Sequence, residues 1–323
     1  MKHVSIIVPQ GDSILSSIIG PFKALNAAND YLQKTGRAPM FDIHLVGLSD
    51  ETKLYGGLFS VHPNVMMRDV KKTDLIIIPA VNPKSLSLNT DFIPWITDQY
   101  KRGAEVASLC VGAFLLASTG LIKGKACTTH WMAADAFRQM YPDVKLVTEK
   151  IIIDENGIYS SGGAYSFVNL ILHLIEKYSG RDVAVFVSKV LEVEIERKSQ
   201  SPFTIFMGQK EHEDDPIKKA QEYIESNVAQ KISVDYLAGL SLISRRNFER
   251  RFKKATSNTP VEYLQRVKIE AAKKSLESGR ENINEVMYAV GYSDSKAFRT
   301  TFKKITGLSP LDYRKKYNRE MIA

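Results

Sequence analysis

The stretch FERRFKKATSNTPVEY at residues 248–263 recurs fifty residues later as FRTTFKKITGLSPLDY at residues 298–313. Seven of the sixteen aligned positions are identical, including two phenylalanines four residues apart, a Lys-Lys pair, a proline and the closing tyrosine. Phenylalanines at this spacing share one face of a helix and predict its buried stripe, and the proline marks the end of the helix. The repeat therefore predicts two related helical units in the last third of the chain.

A shorter helical segment and a break precede each copy. SVDYLAGL leads into a turn before Ser244, the predicted N-cap of the next helix, and INEVMYAV leads into a turn before Ser293 or Ser295, which are the candidate N-caps of the second copy. Helix, tight turn and helix form the helix-turn-helix unit, whose second helix enters the major groove of DNA. The segment 261–278 is predicted to be one long helix that holds the two units in grooves about 34 Å apart.

The distribution of charge agrees with a nucleic-acid-binding region. The chain has a formal net charge of +8, but residues 216–323 carry 22 Lys and Arg against 12 Asp and Glu, whereas residues 1–215 carry 22 against 24. Lysine and arginine displace counterions from phosphates, so a basic region of this kind is the electrostatic footprint of a DNA-binding module. The positive excess lies entirely in the part of the chain that holds the repeat.

Length and composition predict a two-domain globular protein of the cytoplasm. At 323 residues, 44% hydrophobic and 25% charged, the chain is too long for one ordinary domain and has ordinary globular composition. No apolar run approaches the ~18 residues of a membrane span, and the N-terminus lacks a secretory signal. Two cysteines, Cys110 and Cys127, are no disulfide framework and are typical of a reducing compartment.

The first part of the chain alternates strand-like and helix-like segments. Short apolar runs bounded by Gly, Pro and Asp predict buried strands at 4–9, 41–48, 75–81 and 104–110. Helical patterns lie between and after them, the strongest at 166–180. The predicted fold is an α/β N-terminal domain, with a flavodoxin-like parallel sheet sandwiched by helices, followed by an all-α domain with two helix-turn-helix units. The predicted boundaries are 1–195 for the sensor or dimerisation domain, 196–216 for a polar linker, and 217–323 for the DNA-binding domain.

The last third resembles the AraC/XylS-type DNA-binding domain, notably in SRRNFERRFKK, TPVEYLQRVKIEAAKKSLE and GYSDSKAFRTTFKKITGLSPLDYRKKY. Lys268 stands where this family usually has Arg, and Met287 where it usually has Ala. The side chains off the Phe stripe are the predicted DNA contacts: Arg245, Arg246, Asn247 and Arg250 in the first recognition helix, and Ser295, Lys296, Arg299 and Lys303 in the second. Arginine reads guanine and asparagine reads adenine, whereas Lys303 is suited to phosphate.

Residues 1–190 resemble the ThiJ/PfpI superfamily, which is related to class I glutamine amidotransferases. The resemblance rests on IIGPFKALNAA, DLIIIPAV, ASLCVGAFLLASTGLIKGKACTTHW and SSGGAYSFVNLILHLIEKYSGRDVA. Together with an AraC-type tail, it is similar to the GlxA-like subfamily of regulators. That subfamily implies a transcription regulator with a homodimeric, effector-sensing N-terminal domain.

Cys110 occupies the predicted nucleophile elbow between a strand and a helix. Amide groups at a helix N-terminus are expected to lower the pKa of its thiol, and His130 is the nearest candidate base. However, Val111 stands where many catalytic members have His, and Ser17, with only Asp12 nearby, stands where they have an acid. The elbow is therefore predicted to be vestigial, and no catalytic residue is expected.

Three interpretations of the elbow remain open. The favoured one is an effector pocket lined by Cys110, His130 and Ser161, and the second is a pure dimerisation scaffold. The alternative from another class is a cysteine-dependent amidase, peptidase or deglycase with an accessory DNA-binding tail. Thiol reactivity against pH distinguishes the enzyme from the other two.

No metal or other cofactor is expected. The six histidines show no ligand spacing, and the glycine pairs at 56–57 and 162–163 are predicted turns rather than phosphate loops. The sequence thus predicts a cytoplasmic, nucleoid-associated transcription regulator, with no membrane partner. Its expected partners are promoter or operator DNA, a small-molecule effector and a second copy of the chain, and contact with RNA polymerase is compatible with the resemblance.

Overall fold

A computed structural model of the chain describes residues 1–195, 197 and 199–318. Contacts divide the chain into two compact units with a boundary between Gln200 and Ser201. The first unit is α/β and the second is built from helices, which confirms the predicted fold class. None of the described helices has the length and apolar character needed to cross a membrane.

Helices and short strands alternate along the first unit. Its strands are β1 (Lys2–Val8), β2 (Phe41–Gly47), β3 (Thr52–Leu54), β4 (Phe59–Val61), β5 (Val65–Met66), β6 (Leu75–Ile78), β7 (Glu105–Leu109), β8 (Ala126–Cys127), β9 (Lys145–Leu146), β10 (Ile152–Glu155) and β11 (Ile158–Ser161). Its α-helices are α1 (Ser16–Lys34), α2 (Phe92–Lys101), α3 (Ala113–Ser118), α4 (Ala134–Met140), α5 (Phe167–Ser179) and α6 (Arg181–Val190).

Seven of these strands form one sheet in the order β10-β11-β7-β6-β1-β2-β5. All neighbouring pairs are parallel except β10 and β11, which form an antiparallel hairpin at one edge. The four predicted strands are β1, β2, β6 and β7, so the parallel centre is confirmed. The hairpin was missed because IIDE and IYSS are short and carry polar residues, so neither forms a continuous apolar run.

The sheet is covered on both faces, which explains its apolar strands. In β1, Val4, Ile6 and Val8 pack with helices α1, α5 and α6, while Ile7 faces the opposite side with α2 and α3. All four residues of β6 are buried, as expected where helices cover both faces of a parallel sheet. Because β7 and β11 are parallel neighbours, their carboxyl ends lie at the same end of the sheet, where Cys110 follows β7.

The second unit consists of helices: α7 (Asp215–Ser226), α8 (Val234–Leu240), α9 (Arg245–Thr256), α10 (Pro260–Ser278), α11 (Ile283–Ala289), α12 (Ser295–Thr306) and α13 (Pro310–Tyr317). It has two separate hydrophobic cores, one for each copy of the repeat. Helix α10 contributes to both: Tyr263 and Val267 to the first core, Ile269 and Leu276 to the second.

Hydrogen bonds tie part of the segment predicted as linker to the second unit. The Phe206 N–H donates to Glu270 Oε2 at 3.0 Å, and the Tyr317 hydroxyl donates to the Pro202 carbonyl at 3.0 Å. The Lys273 ammonium donates to the Thr204 carbonyl at 2.6 Å. Residues 202–206 therefore lie against α10 and α13.

Candidate functional site

The first helix-turn-helix unit consists of α8, a turn at 241–244 and α9. The Ser233 hydroxyl accepts a hydrogen bond from the Tyr236 N–H and so caps α8, while the turn places Leu242 at φ 53°. Ser244 occupies the predicted N-cap position of α9, but its side chain makes no capping hydrogen bond. Phe248 and Phe252 are fully buried, as predicted. Because these rings face the core, the opposite face of α9 is open to solvent.

Three of the four predicted DNA contacts on α9 already have partners within the protein. The Arg245 guanidinium bonds Asp235 Oδ2 at 2.9 Å and Glu249 Oε1 at 3.0 Å, so two carboxylates offset its charge. Arg250 donates to Asn247 Oδ1 at 2.9 Å. Arg246 is exposed and forms no ion pair with any described residue. Among the four predicted contacts, Arg246 is therefore the one whose side chain forms neither an ion pair nor a hydrogen bond with another described residue.

The second helix-turn-helix unit consists of α11, a turn through Gly291 and α12. Asn282 and Glu285 form a capping box that starts α11. The N-cap of α12 is Asp294, whose Oδ1 accepts from the Ala297 N–H at 2.5 Å, so the predicted cap at Ser293 or Ser295 was wrong. An aspartate at the N-cap also places a negative charge beside the positive end of the helix dipole, which favours it over a neutral serine.

The exposed face of α12 carries cations with no carboxylate partner. Lys296, Arg299 and Lys303 are exposed and form no ion pair with other described residues, and Ser295 is exposed at the start of the helix. Phe298 and Phe302 on the opposite face are fully buried. The structure thus separates an apolar face from a cationic face, an arrangement suited to binding a polyanion.

The backs of both recognition helices are held in the same way. Tyr263 donates its hydroxyl to Glu225 Oε1 at 2.7 Å, and its repeat partner Tyr313 donates to Glu277 Oε1 at 2.5 Å. The ring of Tyr263 packs edge-on against Phe252, and that of Tyr313 against Phe302. The two rings therefore pack behind the recognition helices, that of Tyr263 from α10 and that of Tyr313 from α13. Their hydroxyls bond other helices, α7 in the first copy and α10 in the second.

A further contact that the sequence reading missed anchors α9 to α7. The Arg251 guanidinium bonds both carboxylate oxygens of Asp214, at 2.7 and 2.9 Å, and this pairing lowers the pKa of Asp214. Asp214 also accepts from the Ile217 N–H as the N-cap of α7. Residues 196–216 are predicted as a polar linker, whereas α7 begins at Asp215 within that segment. The available signal was an aspartate followed by proline, a common helix start.

The elbow of the first unit has the predicted backbone but not the predicted chemistry. Cys110 follows β7 at φ 54°, and a β-carbon on Gly112 would lie 2.4 Å from the Pro79 carbonyl oxygen, so the turn requires glycine there. Cys110 is only 2% exposed, and burial raises the pKa of its thiol to about 11, although the Val111 N–H opposes this. The expected lowering of the pKa was wrong because desolvation outweighs the helix N-terminus.

The three predicted pocket residues, Cys110, His130 and Ser161, lie near the carboxyl ends of β7 and β11. Ser161 ends β11 in register with Leu109, directly before Cys110, and its buried hydroxyl has no hydrogen-bond partner among the described residues. The Thr129 hydroxyl donates to the Cys110 carbonyl at 3.0 Å, which places His130 one residue from that contact. The His130 Nδ1 accepts from the Met132 N–H, and burial lowers the pKa of the imidazole.

Ser17, which stands where catalytic members have an acid, forms structural hydrogen bonds instead. The buried Ser17 hydroxyl donates to the Ile14 carbonyl at 2.6 Å and accepts from the Ala80 N–H at 2.9 Å. Asp12 is exposed. Neither residue offers Cys110 a buried carboxylate.

The sheet also brings together one group of metal-type ligands that sequence spacing does not reveal. His3 of β1 pairs with Asp42 of β2, and ligand atoms of His3, Asp42 and His44 lie within 4.8 Å of one another. His44 Nε2 lies 3.0 Å from Asp42, while the Asn64 amide nitrogen lies 3.4 Å from His44 Nδ1. The absence of a metal stays a prediction.

Comparisons with known proteins connect both units to described families. Residues 237–316 match the model of a helix-turn-helix domain, and residues 15–177 match the model of the DJ-1/PfpI family. The chain belongs to the DJ-1/PfpI family. The predicted combination of this domain with an AraC-type DNA-binding region is confirmed.

Relatives with both parts are named as regulators. The chain is 25% identical over 311 residues to the HTH-type transcriptional regulator GbdR of Pseudomonas aeruginosa, covering 93% of this chain and 80% of that protein. It is 23% identical over 215 residues to the HTH-type transcriptional regulator GlxA of Rhizobium meliloti, covering 66% of each.

Solved structures agree on the fold. An AraC family transcriptional regulator from Pseudomonas putida superposes with a TM-score of 0.51 at 17% identity, over 59% of this chain and all of that one. A ThiJ/PfpI family protein from Pseudomonas syringae superposes with a TM-score of 0.50 at 15% identity, over 74% of this chain and 90% of that one. These likenesses concern the fold alone.

Proposed function

We propose that the chain is a sequence-specific DNA-binding regulator of transcription that inserts α9 and α12 into successive major grooves. The observation that carries this proposal is the pair of matched helices, each with two fully buried phenylalanines behind and an exposed cationic face in front. An α-helix fits the major groove, and a rigid spacer such as α10 holds two such helices in one relative position.

The contacts of individual residues follow from their partners. Arg246 and Arg299 are the base-reading candidates, because each presents an exposed guanidinium with neither an ion pair nor a hydrogen bond to another described residue. Lys296 and Lys303 are assigned to phosphates. Arg245, Asn247, Arg250 and Ser295 remain part of the proposed surface, but Arg245 must first leave two carboxylates.

The DJ-1/PfpI domain is proposed to sense a small molecule and to dimerise rather than to catalyse. A buried thiol with a pKa of about 11 is almost entirely protonated at neutral pH and is a poor nucleophile. The unpartnered hydroxyl of buried Ser161, beside Cys110 and near His130, offers a hydrogen-bonding group to an effector instead. No enzymatic activity and no cofactor are proposed.

The remaining parts of the proposal concern organisation and coupling. Residues 1–195 form the proposed sensor and 217–323 the proposed DNA-binding domain. Part of the segment 196–216 belongs with the latter, because residues 202–206 lie against α10 and α13 and α7 begins at Asp215. Effector binding shifts the balance between two arrangements, of which one presents both recognition helices. The protein acts in the cytoplasm on nucleoid DNA as a homodimer, where it can contact RNA polymerase.

Binding to DNA over a salt series tests the regulatory function. The purified chain is assayed against its own upstream DNA and against sequences selected from random DNA, beside the double variant Arg246→Ala, Arg299→Ala. A matched control, Lys219→Ala with Lys274→Ala, removes the same charge from exposed positions on α7 and α10. Loss of a base-reading arginine costs about 1–3 kcal/mol, so the double variant is expected to lose at least ~30-fold in affinity for the selected site.

The control separates base reading from general electrostatics. It is expected to change the affinity by less than ~3-fold at physiological salt, because two distant charges contribute little at that ionic strength. Equal losses in the two double variants, or no preferred sequence after selection, would contradict the proposed function.

The sensing part has its own test. Thermal unfolding of the whole chain is measured against a set of small metabolites, and any stabilising compound is retested on Ser161→Ala and on a control variant, Ser118→Ala, on α3. A compound bound at the elbow is expected to stabilise the control variant and not Ser161→Ala. Stabilisation of both variants alike would place the effector elsewhere.

A further inference from the structure

A buried ammonium group lies where the two helix-turn-helix units meet. Lys268, near the middle of α10, is 5% exposed, and its Nζ donates to the carbonyls of Val228 at 2.7 Å, Gln230 at 3.0 Å and Val290 at 2.9 Å. An ammonium group has three donors, so all of its hydrogen-bonding capacity is used. It forms no ion pair with a described carboxylate, and its three hydrogen bonds all go to backbone carbonyls.

The three carbonyls come from both helix-turn-helix units. Val228 and Gln230 lie in the loop between α7 and α8, which leads into the first helix-turn-helix unit. Val290 ends α11 and begins the turn of the second. The ammonium therefore joins a loop of one unit to the turn of the other.

The backbone around this group is packed too closely for most residues. Gly291 has φ +73°, and a β-carbon there would lie 2.4 Å from the Ala229 carbonyl oxygen and 2.5 Å from Lys268 Nζ. The Tyr292 ring lies 5.9 Å from the same nitrogen. The turn of the second helix-turn-helix unit thus touches the loop that leads into the first helix-turn-helix unit, and glycine permits that approach.

We propose that Lys268 is a positioning residue that fixes the relative orientation of α9 and α12. The buried residues of the two helix-turn-helix units form separate cores, which α10 and the half-buried side chain of Val228 connect. Their mutual angle therefore depends on α10, on Val228 and on the ammonium contact. The consequence for function rests on the proposed DNA binding: a fixed angle lets both helices enter DNA without an ordering cost at the time of binding. Lys268 itself is buried and does not contact DNA.

The chain offers a matched control on the same helix. Lys273 is also buried, at 3% exposed, and its ammonium donates to the Thr204 carbonyl and to Glu270 Oε2. It does not join the two units. Lys268→Met and Lys273→Met therefore each remove a buried ammonium from α10, but only the first is expected to loosen the orientation.

The first measurement needs no DNA. Spin labels are attached at Lys254→Cys and Lys304→Cys, equivalent exposed positions on α9 and α12, while Cys110 and Cys127 are buried. The distance distribution between the labels is measured in the full chain. Lys268→Met is expected to broaden this distribution, whereas Lys273→Met leaves its width unchanged, and Lys268→Arg, which keeps a multi-donor cation, restores it.

The contact can also be broken from the opposite side. Gly291→Ala adds the β-carbon that meets Ala229 and the ammonium, and it is expected to broaden the distribution as Lys268→Met does. Circular dichroism of each variant establishes that the helices are formed. An unchanged distance distribution in both folded variants would overturn the proposal, whatever the outcome of DNA binding.

The second measurement concerns spacing on DNA. On a selected site, wild-type protein is expected to bind much less tightly when ~5 base pairs, half a helical turn, are inserted between the half-sites. A half-site is the DNA that one recognition helix contacts. Lys268→Met is expected to bind an isolated half-site as wild type does and the full site ~10-fold more weakly. The inserted base pairs are expected to weaken its binding much less than they weaken that of wild type. Equal weakening on half-site and full site would overturn the positioning role, whereas failure of wild-type protein to select any site would contradict the DNA-binding function instead.

Discussion

The thiol of Cys110 is expected to be inert toward alkylation at the pH values where a catalytic cysteine reacts. It is 2% exposed and lies in an apolar elbow, and burial raises its pKa to about 11. Cys127, 1% exposed, has its pKa raised to about 11 for the same reason. Only the thiolate form attacks an alkylating reagent, so the pKa sets the rate at a given pH.

The size of the effect follows from the thiolate fraction. At pH 8 an ordinary cysteine with a pKa near 8.5 is roughly one quarter thiolate, whereas a thiol with a pKa of about 11 is roughly 0.1% thiolate. Native Cys110 is therefore expected to react at least ~100-fold more slowly than the same residue in the unfolded chain. Its rate is expected to rise ~10-fold for each pH unit up to pH 10.

Iodoacetamide alkylation followed by peptide mass spectrometry measures the two cysteines separately. The same protein in denaturant supplies the reference rate for each residue, and Cys127 serves as an internal buried control. Half-maximal reactivity of native Cys110 below pH 8, with a rate above that in denaturant, would refute the reasoning. That result would favour the cysteine-dependent enzyme over the sensor.

Three further outcomes follow from contacts in the second unit. Asp235→Asn removes one of the two carboxylates that bond Arg245, so the affinity for a selected DNA site is expected to rise ~2–5-fold in a binding titration. An unchanged or lower affinity would contradict a role for Arg245 in DNA binding. Ser257 ends α9 with φ 57°, where the equivalent residue of the second copy is Gly307, so Ser257→Gly is expected to stabilise the unit by up to ~1 kcal/mol and Gly307→Ser to destabilise it, both measured by urea unfolding. Because the pKa of Asp214 is lowered, its ion pair stabilises the fold fully above the ordinary carboxyl pKa near 4, and this stabilisation is lost as the pH falls through the lowered pKa. Asp214→Asn is therefore expected to lower the free energy of unfolding by ~1 kcal/mol at pH 7 and by nothing at acid pH. A loss that does not depend on pH would indicate a packing effect instead.

Periodicity was enough to predict the repeated helices of the second unit and the four central strands of the first. The Phe248 and Phe252 stripe, its second copy and the continuous apolar run of β6 each form what the sequence predicts, because burial on one helix face or on both sheet faces leaves a local signature. The short strands β10 and β11, of which β10 is at the edge of the sheet, left no such signature.

Caps and charges were less predictable than elements. Serine and aspartate are both good N-caps, so sequence alone could not choose Asp294 over its serine neighbours at the start of α12. Likewise, the basic face of α9 was visible in the sequence, but the carboxylates that hold Arg245 come from two different helices.

By itself, the sequence determined the two-part architecture, the repeat and the side of each recognition helix that faces solvent, because these depend on residues close together in the chain. The tertiary structure alone decided the state of the Cys110 thiol, the meeting of His3 with Asp42 and His44, and the contact of Lys268 with both helix-turn-helix units. Desolvation and hydrogen bonding act between atoms that folding brings together from distant positions, and no local pattern of residues records which atoms those are.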